Sequence, residues 1–207
     1  MITDPGFPGA AFGTAADGDG RSDEAARESI SAALDIPTGW AWALQVHGGD
    51  VAVVRTGGSA GKVDGLVTLE PRLPLTIATA DCLPVILGGQ GGVGIAHAGW
   101  RGAAAGVVGR VRNRLADLGV DVQWAAIGPG IGPCCFEVGP EVAADFPGSA
   151  AQTAWRTRSV DLVDAVGGDL GGLEVWRVTP CTHHESGFHS HRRNGTPLRQ
   201  VAVAWLS

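Results

Sequence analysis

A largely antiparallel or mixed β-sheet core with helices on its outside is the architecture this sequence predicts, and three observations predict it. Short apolar runs of strand length follow one another between Leu75 and His97, separated by little more than Gly, Pro and an Asp-Cys pair. The segment Val107 to Leu118 shows helical periodicity instead, with Val107, Val108, Val111, Leu115 and Leu118 on one face and Arg110, Arg112, Arg114 and Asp117 mostly on the other. Thirty-three glycines in a chain that is 44% hydrophobic imply many tight turns between buried strands, because disorder needs low hydrophobicity.

The elements follow in order. Ala10 to Thr14 reads as an entry strand, preceded by a mobile stretch (1–9) and followed by a mobile acidic loop (15–22). Asp23 is placed to cap a helix running to about Leu34, whose apolar positions Ala26, Ile30, Ala33 and Leu34 recur at helical spacing; Ile36-Pro37 ends it. Trp40 to His47 and Val51 to Arg55 flank His47-Gly-Gly-Asp50, which is a hairpin signal. Val63 to Thr68, Leu75 to Ala80, Pro84 to Leu87 and Val93 to His97 are strands, then comes the helix from Val107. Val122 to Ile127 is a further strand ending in Gly128-Pro-Gly-Ile-Gly-Pro133. That glycine run lacks the Lys-Ser/Thr of a phosphate loop and opens onto Cys-Cys-Phe-Glu, so it reads as a turn. Pro140 to Phe146 and Asp161 to Leu173 are helical, the latter weakened by Gly167 and Gly168, and Glu174 to Val178 and Gln200 to Leu206 are closing strands.

At 207 residues the chain is long enough to bury one continuous core, and nothing in the pattern divides it, so residues 1–207 read as one domain. A formal net charge of −6 argues against nucleic acid and anionic membranes as partners, which both need clustered cations; a small-molecule substrate fits better. The first residues lack the features of a secretory signal, no apolar run is long enough to span a bilayer, and the expected compartment is the cytoplasm. Four cysteines in such a chain read as thiols or metal ligands rather than as a disulfide framework.

Two of the predicted strands end in Cys82 and His97, and His47 ends a third. Two imidazoles and a thiolate are a mixed set that suits zinc and leaves a fourth position for water or substrate, provided the fold brings these strand ends together. After His97, an Ala-Gly turn and a helix start with Arg101 make an anion site, for which phosphate is the natural tenant. The same residues allow a different chemistry, in which His97 deprotonates Cys82 and the thiolate attacks an amide carbonyl, with Asp81 beside either centre. His183, His184, His189 and His191, with Glu185, are candidates for a second metal site or a solvated loop, and Cys134 and Cys135 read as buried structural thiols.

Six ordered motifs carry a resemblance. Gln45-Val-His-Gly48, Asp64-Gly-Leu-Val-Thr68, Thr79-Ala-Asp-Cys-Leu-Pro-Val85, Ala96-His-Ala-Gly-Trp-Arg-Gly102, Ile127 to Val138 and Cys181-Thr182 together resemble the laccase-domain family, also called the multicopper polyphenol oxidase-like or peptidoglycan editing factor family. The resemblance implies an α+β single domain, layered α/β/β/α with a cysteine-hydrolase-like fold, and a zinc site on His47, Cys82 and His97. It further implies purine nucleoside phosphorylase and adenosine deaminase activity, with Cys82, His97 and Asp81 catalytic and with Arg101, Gln45 and Arg192 contacting nucleoside and phosphate. Other readings in the same family are an amidase that edits peptidoglycan precursors and a copper polyphenol oxidase, the latter needing a His-rich copper cluster; the assembly is a monomer or homodimer.

The chain departs from that pattern in two places. Where the family has Thr-x-Arg followed by Gly-Gly-Val-Ser, this sequence has Thr14-Ala-Ala-Asp-Gly-Asp-Gly-Arg21, so a usual cationic contact is missing. A C-terminal Phe-x-Ser-Tyr-Arg-Arg has become His189-Ser-His-Arg-Arg193, which implies an altered substrate pocket.

Overall fold

The computed structural model describes residues 1–206; Ser207, the last residue of the expected domain, lies outside the described residues. Two six-stranded mixed sheets face each other. The first contains β1 (Ile2–Thr3), β2 (Ala10–Phe12), β3 (Ala41–Trp42), β5 (Gly58–Ser59), β7 (Leu75–Thr79) and β14 (Gln200–Ala204), in the order β1-β2-β14-β7-β3-β5. The second contains β4 (Val51–Val53), β6 (Gly65–Thr68), β8 (Leu83–Gly89), β9 (Gly92–Ala98), β10 (Val122–Ile127) and β13 (Glu174–Arg177), in the order β13-β10-β8-β9-β6-β4. The first sheet is antiparallel from β1 through β2 and β14 to β7 and parallel from β7 through β3 to β5, while the second is antiparallel at its centre and parallel at both edges, β4–β6 and β10–β13. A small antiparallel pair, β11 (Ala150–Gln152) and β12 (Arg158–Val160), stands apart.

The alternation within strands builds the layers. Ile86, Ile95, Leu66 and Ala126 from one sheet meet Phe12, Leu75, Ile77 and Ala202 from the other, forming the apolar filling between the sheets. Residues on the opposite face of the second sheet, Val67, Val85, Leu87 and Ala96, pack under α3 (Val107–Asp117) through Val107, Val108, Val111 and Leu115. On the far side of the first sheet, Ile30 of α1 (Glu24–Leu34) packs with Trp40, Ala78, Val201 and Val203. The result is the expected α/β/β/α layering. Asp23 caps α1 as the sequence predicts, accepting a hydrogen bond from the Ala26 N–H at 3.2 Å.

The expected hairpin around His47 does not form. β3 joins the first sheet, parallel to β7, while β4 joins the second, parallel to β6, so the segment between them crosses from one sheet to the other. Its glycines serve the crossing rather than a two-strand turn. The crossing is held by one buried acid: the Asp64 carboxylate accepts from the backbone N–H groups of Val46, His47 and Gly48 at 3.2, 2.9 and 2.7 Å. Three such bonds outweigh what a two-residue strand pair would contribute. The long helix expected from Asp161 is also shorter: α5 covers Leu162–Gly167 and gives way to a single 3-10 turn, Gly168–Leu170, at the two glycines.

Candidate metal centre

The β8–β9 hairpin builds the centre. Its register pairs Leu83 with Ala98 and Pro84 with His97, so Cys82, one residue before the strand, lies against the end of its neighbour. On the other side of β9, Gly65 pairs with Ala96 and the His97 N–H donates to the Asp64 carbonyl at 2.7 Å. The crossing segment then brings His47 down from above. Its backbone adopts a left-handed φ of 62°, and the His47 and His97 rings meet edge to face with centroids 4.7 Å apart. One ligand atom from each of His47, Cys82 and His97 lies within 4.8 Å of the others. The convergence of the three side chains that the sequence requires is therefore present, with His47 carried on the crossing segment and not at a strand end.

The surroundings fit a metal. Nδ1 of His97 is 2.7 Å from Oδ1 of Asp64, which directs the other ring nitrogen, Nε2, toward the sulfur and is the usual support for a metal-bound imidazole. Gly99 is the second requirement: a Cβ there would stand 2.8 Å from Cys82 Sγ and 3.0 Å from His47 Cδ2. Its φ of −69° is open to any residue, so the glycine is needed for room, not for backbone freedom.

Charge reinforces the arrangement. Burial alone would raise the Asp64 carboxyl, but the hydrogen bonds from His97, Gly48 and His47 hold it below the usual carboxylate range. Burial likewise pushes the Cys82 thiol up, yet the two imidazoles beside it bring it down to about 6. His97 would be lowered by burial and is instead raised to about 9 by Asp64 and Cys82. Without a cation, thiolate and imidazolium stabilise each other; with one, both nitrogen and sulfur are preset as ligands.

A pocket of about 450 Å³ opens over these three residues. Gln45, Asp81, Arg101 and Arg192 all line it, as do Arg21, His191 and Arg199. Arg21 comes from the very loop that lacks the family's Thr-x-Arg cation, so the pocket regains one seven residues downstream of Thr14. Spacing differed from the family pattern, and only the fold could show where that guanidinium falls. Arg101 lies on α2 (Trp100–Ala104), a separate five-residue helix, with its guanidinium 4.1 Å over the Trp100 ring. Positive charge at this rim thus comes from side chains. Arg192 donates to the Glu137 carbonyl at 2.8 Å and lies over Phe136.

Two residues play structural parts that their types do not announce. Gln45 makes a pair of bonds to Ala78, donating to its carbonyl at 2.8 Å and accepting from its N–H at 2.9 Å, and so ties the crossing segment to β7. Asp81, at φ 92°, accepts from Thr182 Oγ1 and the Arg192 N–H, both at 2.7 Å. Its carboxylate anchors the C-terminal wall, while the acid on His97 is Asp64. Sequence reasoning assigned Asp64 no role; its one signal was its place in the Asp-Gly-Leu-Val-Thr motif. Thr79 was also missed: its Oγ1 is buried on the pocket wall with no hydrogen-bond partner among the described residues.

The C-terminal histidines do not gather. Among the described residues, His183, His184, His189 and His191 form no group of ligands within metal reach, and His191 instead lines the pocket. Among the described residues, no helix is long and apolar enough to cross a membrane.

Fold and site together define a two-sheet α+β protein with a His-Cys-His centre at the floor of a cationic pocket. The comparisons with known proteins agree. The sequence profile of the multi-copper polyphenol oxidoreductase laccase family matches residues 5–207, and the chain belongs to that family. A protein of Streptomyces coelicolor named a purine nucleoside phosphorylase is 36% identical over 195 residues, covering 87% of this chain and 81% of the relative. YfiH of Escherichia coli, also named a purine nucleoside phosphorylase, is 35% identical over 193 residues, covering 87% and 79%. The crystal structure of YlmD from Geobacillus stearothermophilus superposes with a TM-score of 0.84 at 28% identity, covering 99% of this chain and 94% of that one.

Proposed function

We propose that the protein is a zinc-dependent purine nucleoside phosphorylase whose pocket also deaminates adenosine. The observation that carries this reading is the set His47, Cys82 and His97 converging beneath a pocket rimmed by Arg21, Arg101, Arg192 and Arg199. In phosphorolysis, a phosphate oxygen forms a bond to the anomeric carbon as the carbon–nitrogen bond to the base breaks. The base leaves with the electron pair and takes up a proton. Guanidinium groups suit the holding of phosphate, because they offer paired donors and retain their charge at any working pH. A pocket of about 450 Å³ is adequate for a nucleoside. A bound zinc would supply Lewis acidity and a water of lowered pKa, which is what replacement of the purine amino group asks for. Two imidazoles and a thiolate favour zinc among common ions.

The names carried by the relatives in Streptomyces and Escherichia support the phosphorylase reading. The test is turnover: adenosine or inosine incubated with phosphate and purified protein should yield free base and ribose 1-phosphate, and adenosine should also yield ammonia. Activity should vanish with a chelator and return with zinc. Absence of base and ammonia from zinc-replete protein would overturn the reading.

One observation favours a second reading. Cys82, His97 and Asp64 form a thiolate–imidazolium–carboxylate chain, which is the arrangement of a cysteine amidase acting, in this family, on peptidoglycan precursors. Such an enzyme would keep its activity after chelation, so the same experiment separates the two. A copper polyphenol oxidase, which the family name suggests, asks for a His-rich copper cluster. Among the described residues the other gathered ligand set is three cysteines.

A further inference from the structure

Outside the pocket, a second set of soft ligands meets where the sequence gives no hint of it. Cys134 and Cys135 lie in the turn after β10, and Cys181 lies beyond β13, in a segment that forms an isolated parallel bridge between Cys181 and Gly130. The sulfurs of all three lie within 4.8 Å of one another, and those of Cys134 and Cys135 are 3.4 Å apart. We propose that these three cysteines form a second metal site, which takes a thiophilic d10 cation, Cu(I) or Zn(II).

The geometry is that of a ligand set and not of packed hydrophobes. Three sulfurs bonded to one ion at about 2.3 Å stand roughly 3.8–4.0 Å apart, so the Cys134–Cys135 pair has to open slightly from 3.4 Å and no other pair, each within 4.8 Å, has to close by more than about 1 Å. The Gly132 N–H points at Cys181 Sγ at 3.1 Å, a donor that stabilises thiolate over thiol. Cys134 and Cys181 are half-buried, which gives an ion a route in, while Cys135 is buried. As free thiols the three crowd one another: burial and the neighbouring sulfurs push Cys135 up to about 12. A cation removes that obstacle, with the thiol protons released to solvent on binding. Three thiolates complete the preferred coordination of Cu(I), whereas Zn(II) would add a water as fourth ligand.

A bound ion would have a structural use. Cys181 precedes Thr182, whose hydroxyl donates to Asp81, the neighbour of Cys82, and Cys135 precedes Phe136 on the pocket wall. The site would clamp the turn 128–136 to the segment 180–185 and so fix one side of the pocket.

The test is ion stoichiometry under anaerobic, reducing conditions. Protein stripped of metal is loaded with Zn(II) in one arm and Cu(I) in another, passed through a desalting column and weighed by native mass spectrometry. Wild type should retain two ions in at least one arm, Cys82→Ala should retain one, and Cys134→Ser/Cys181→Ser should retain one. The arm that gives the second ion identifies the cation. Peptide mapping of the wild type after iodoacetamide guards against a variant that fails to fold: the ion should protect Cys134, Cys135 and Cys181 from labelling. A double variant that holds as many ions as the wild type, or labelling at these cysteines unaffected by either cation, would each overturn the site.

Discussion

Asp64 Oδ1 sits 2.7 Å from Nδ1 of His97, and the same carboxylate receives the backbone N–H groups on both sides of His47 as well as that of His47 itself. One buried acid therefore positions two of the three candidate ligands: it orients one imidazole directly and holds the backbone turn that delivers the other. Asp64→Asn keeps the shape but loses the charge, and it should weaken zinc binding by about 10- to 100-fold. Asp64→Ala leaves three part-buried backbone N–H groups without their partner and should in addition cost about 1–3 kcal/mol of stability. Competition with a chelating dye and thermal unfolding of the metal-free proteins measure the two effects. Equal zinc affinity for Asp64→Asn and wild type would remove Asp64 from the site.

Gly99 separates room from backbone strain. Gly99→Ala places a methyl against Cys82 Sγ and His47 Cδ2 at an ordinary φ, so it should abolish or strongly weaken metal binding while costing little stability. Gly106→Ala is the converse: open space surrounds its Cβ but its φ is 69°, so it should cost about 1 kcal/mol and leave the metal site intact. Metal content and melting temperature, measured on both, should move in opposite patterns.

How much of this was legible in the sequence depends on the range of the interactions. Helix α3 was readable because Val107, Val108, Val111 and Leu115 are neighbours on one local face, and β7 to β10 because Gly and Pro punctuate apolar runs. The crossing at His47 was not. Glycines between two apolar stretches look the same whether the stretches pair with each other or with different sheets, and the deciding contact is with Asp64, seventeen residues away from His47. Cys82 and His97 were brought out by their strand-end positions, yet the acid on His97 is Asp64, whereas adjacency along the chain drew attention only to Asp81, which lies beside Cys82. The gathering of Cys181 with Cys134 and Cys135 depends on the bridge at Gly130, a pairing that leaves no mark in local composition.

Titration of metal-free protein should expose the Cys82–His97 pair. A thiol lowered to about 6 loses its proton as pH rises through that value, so alkylation of Cys82 by iodoacetamide should be half-maximal near pH 6 rather than near 9. The same shift contributes stability that is complete above pH 9 and is lost as pH falls through 6. His97, raised to about 9, contributes stability that is complete below pH 6.5 and is lost as pH rises through 9. Between about pH 6.5 and pH 9 the two contributions change in opposite directions, so the metal-free melting temperature should stay nearly level across that range. Mass spectrometry of labelled peptides across pH 4–10, run beside thermal melts, checks both halves; labelling of Cys82 with an ordinary thiol profile would show that the pair is not formed.

Thr79 offers the sharpest distinction between a structural residue and one that meets substrate. Its hydroxyl is buried on the wall of the pocket without a partner among the described residues, which is unfavourable unless something bonds to it there. Thr79→Val preserves volume and β-branching in β7 and removes only the oxygen. If that oxygen bonds bound nucleoside, the substitution should raise KM by roughly 3- to 10-fold, equivalent to one neutral hydrogen bond, while leaving kcat near its starting value. Stability should hold steady or rise slightly, because an unsatisfied polar atom has been deleted from the fold. A lowered melting temperature with an unchanged KM would instead mean that the hydroxyl serves the protein's interior, by way of a buried water, and not the ligand.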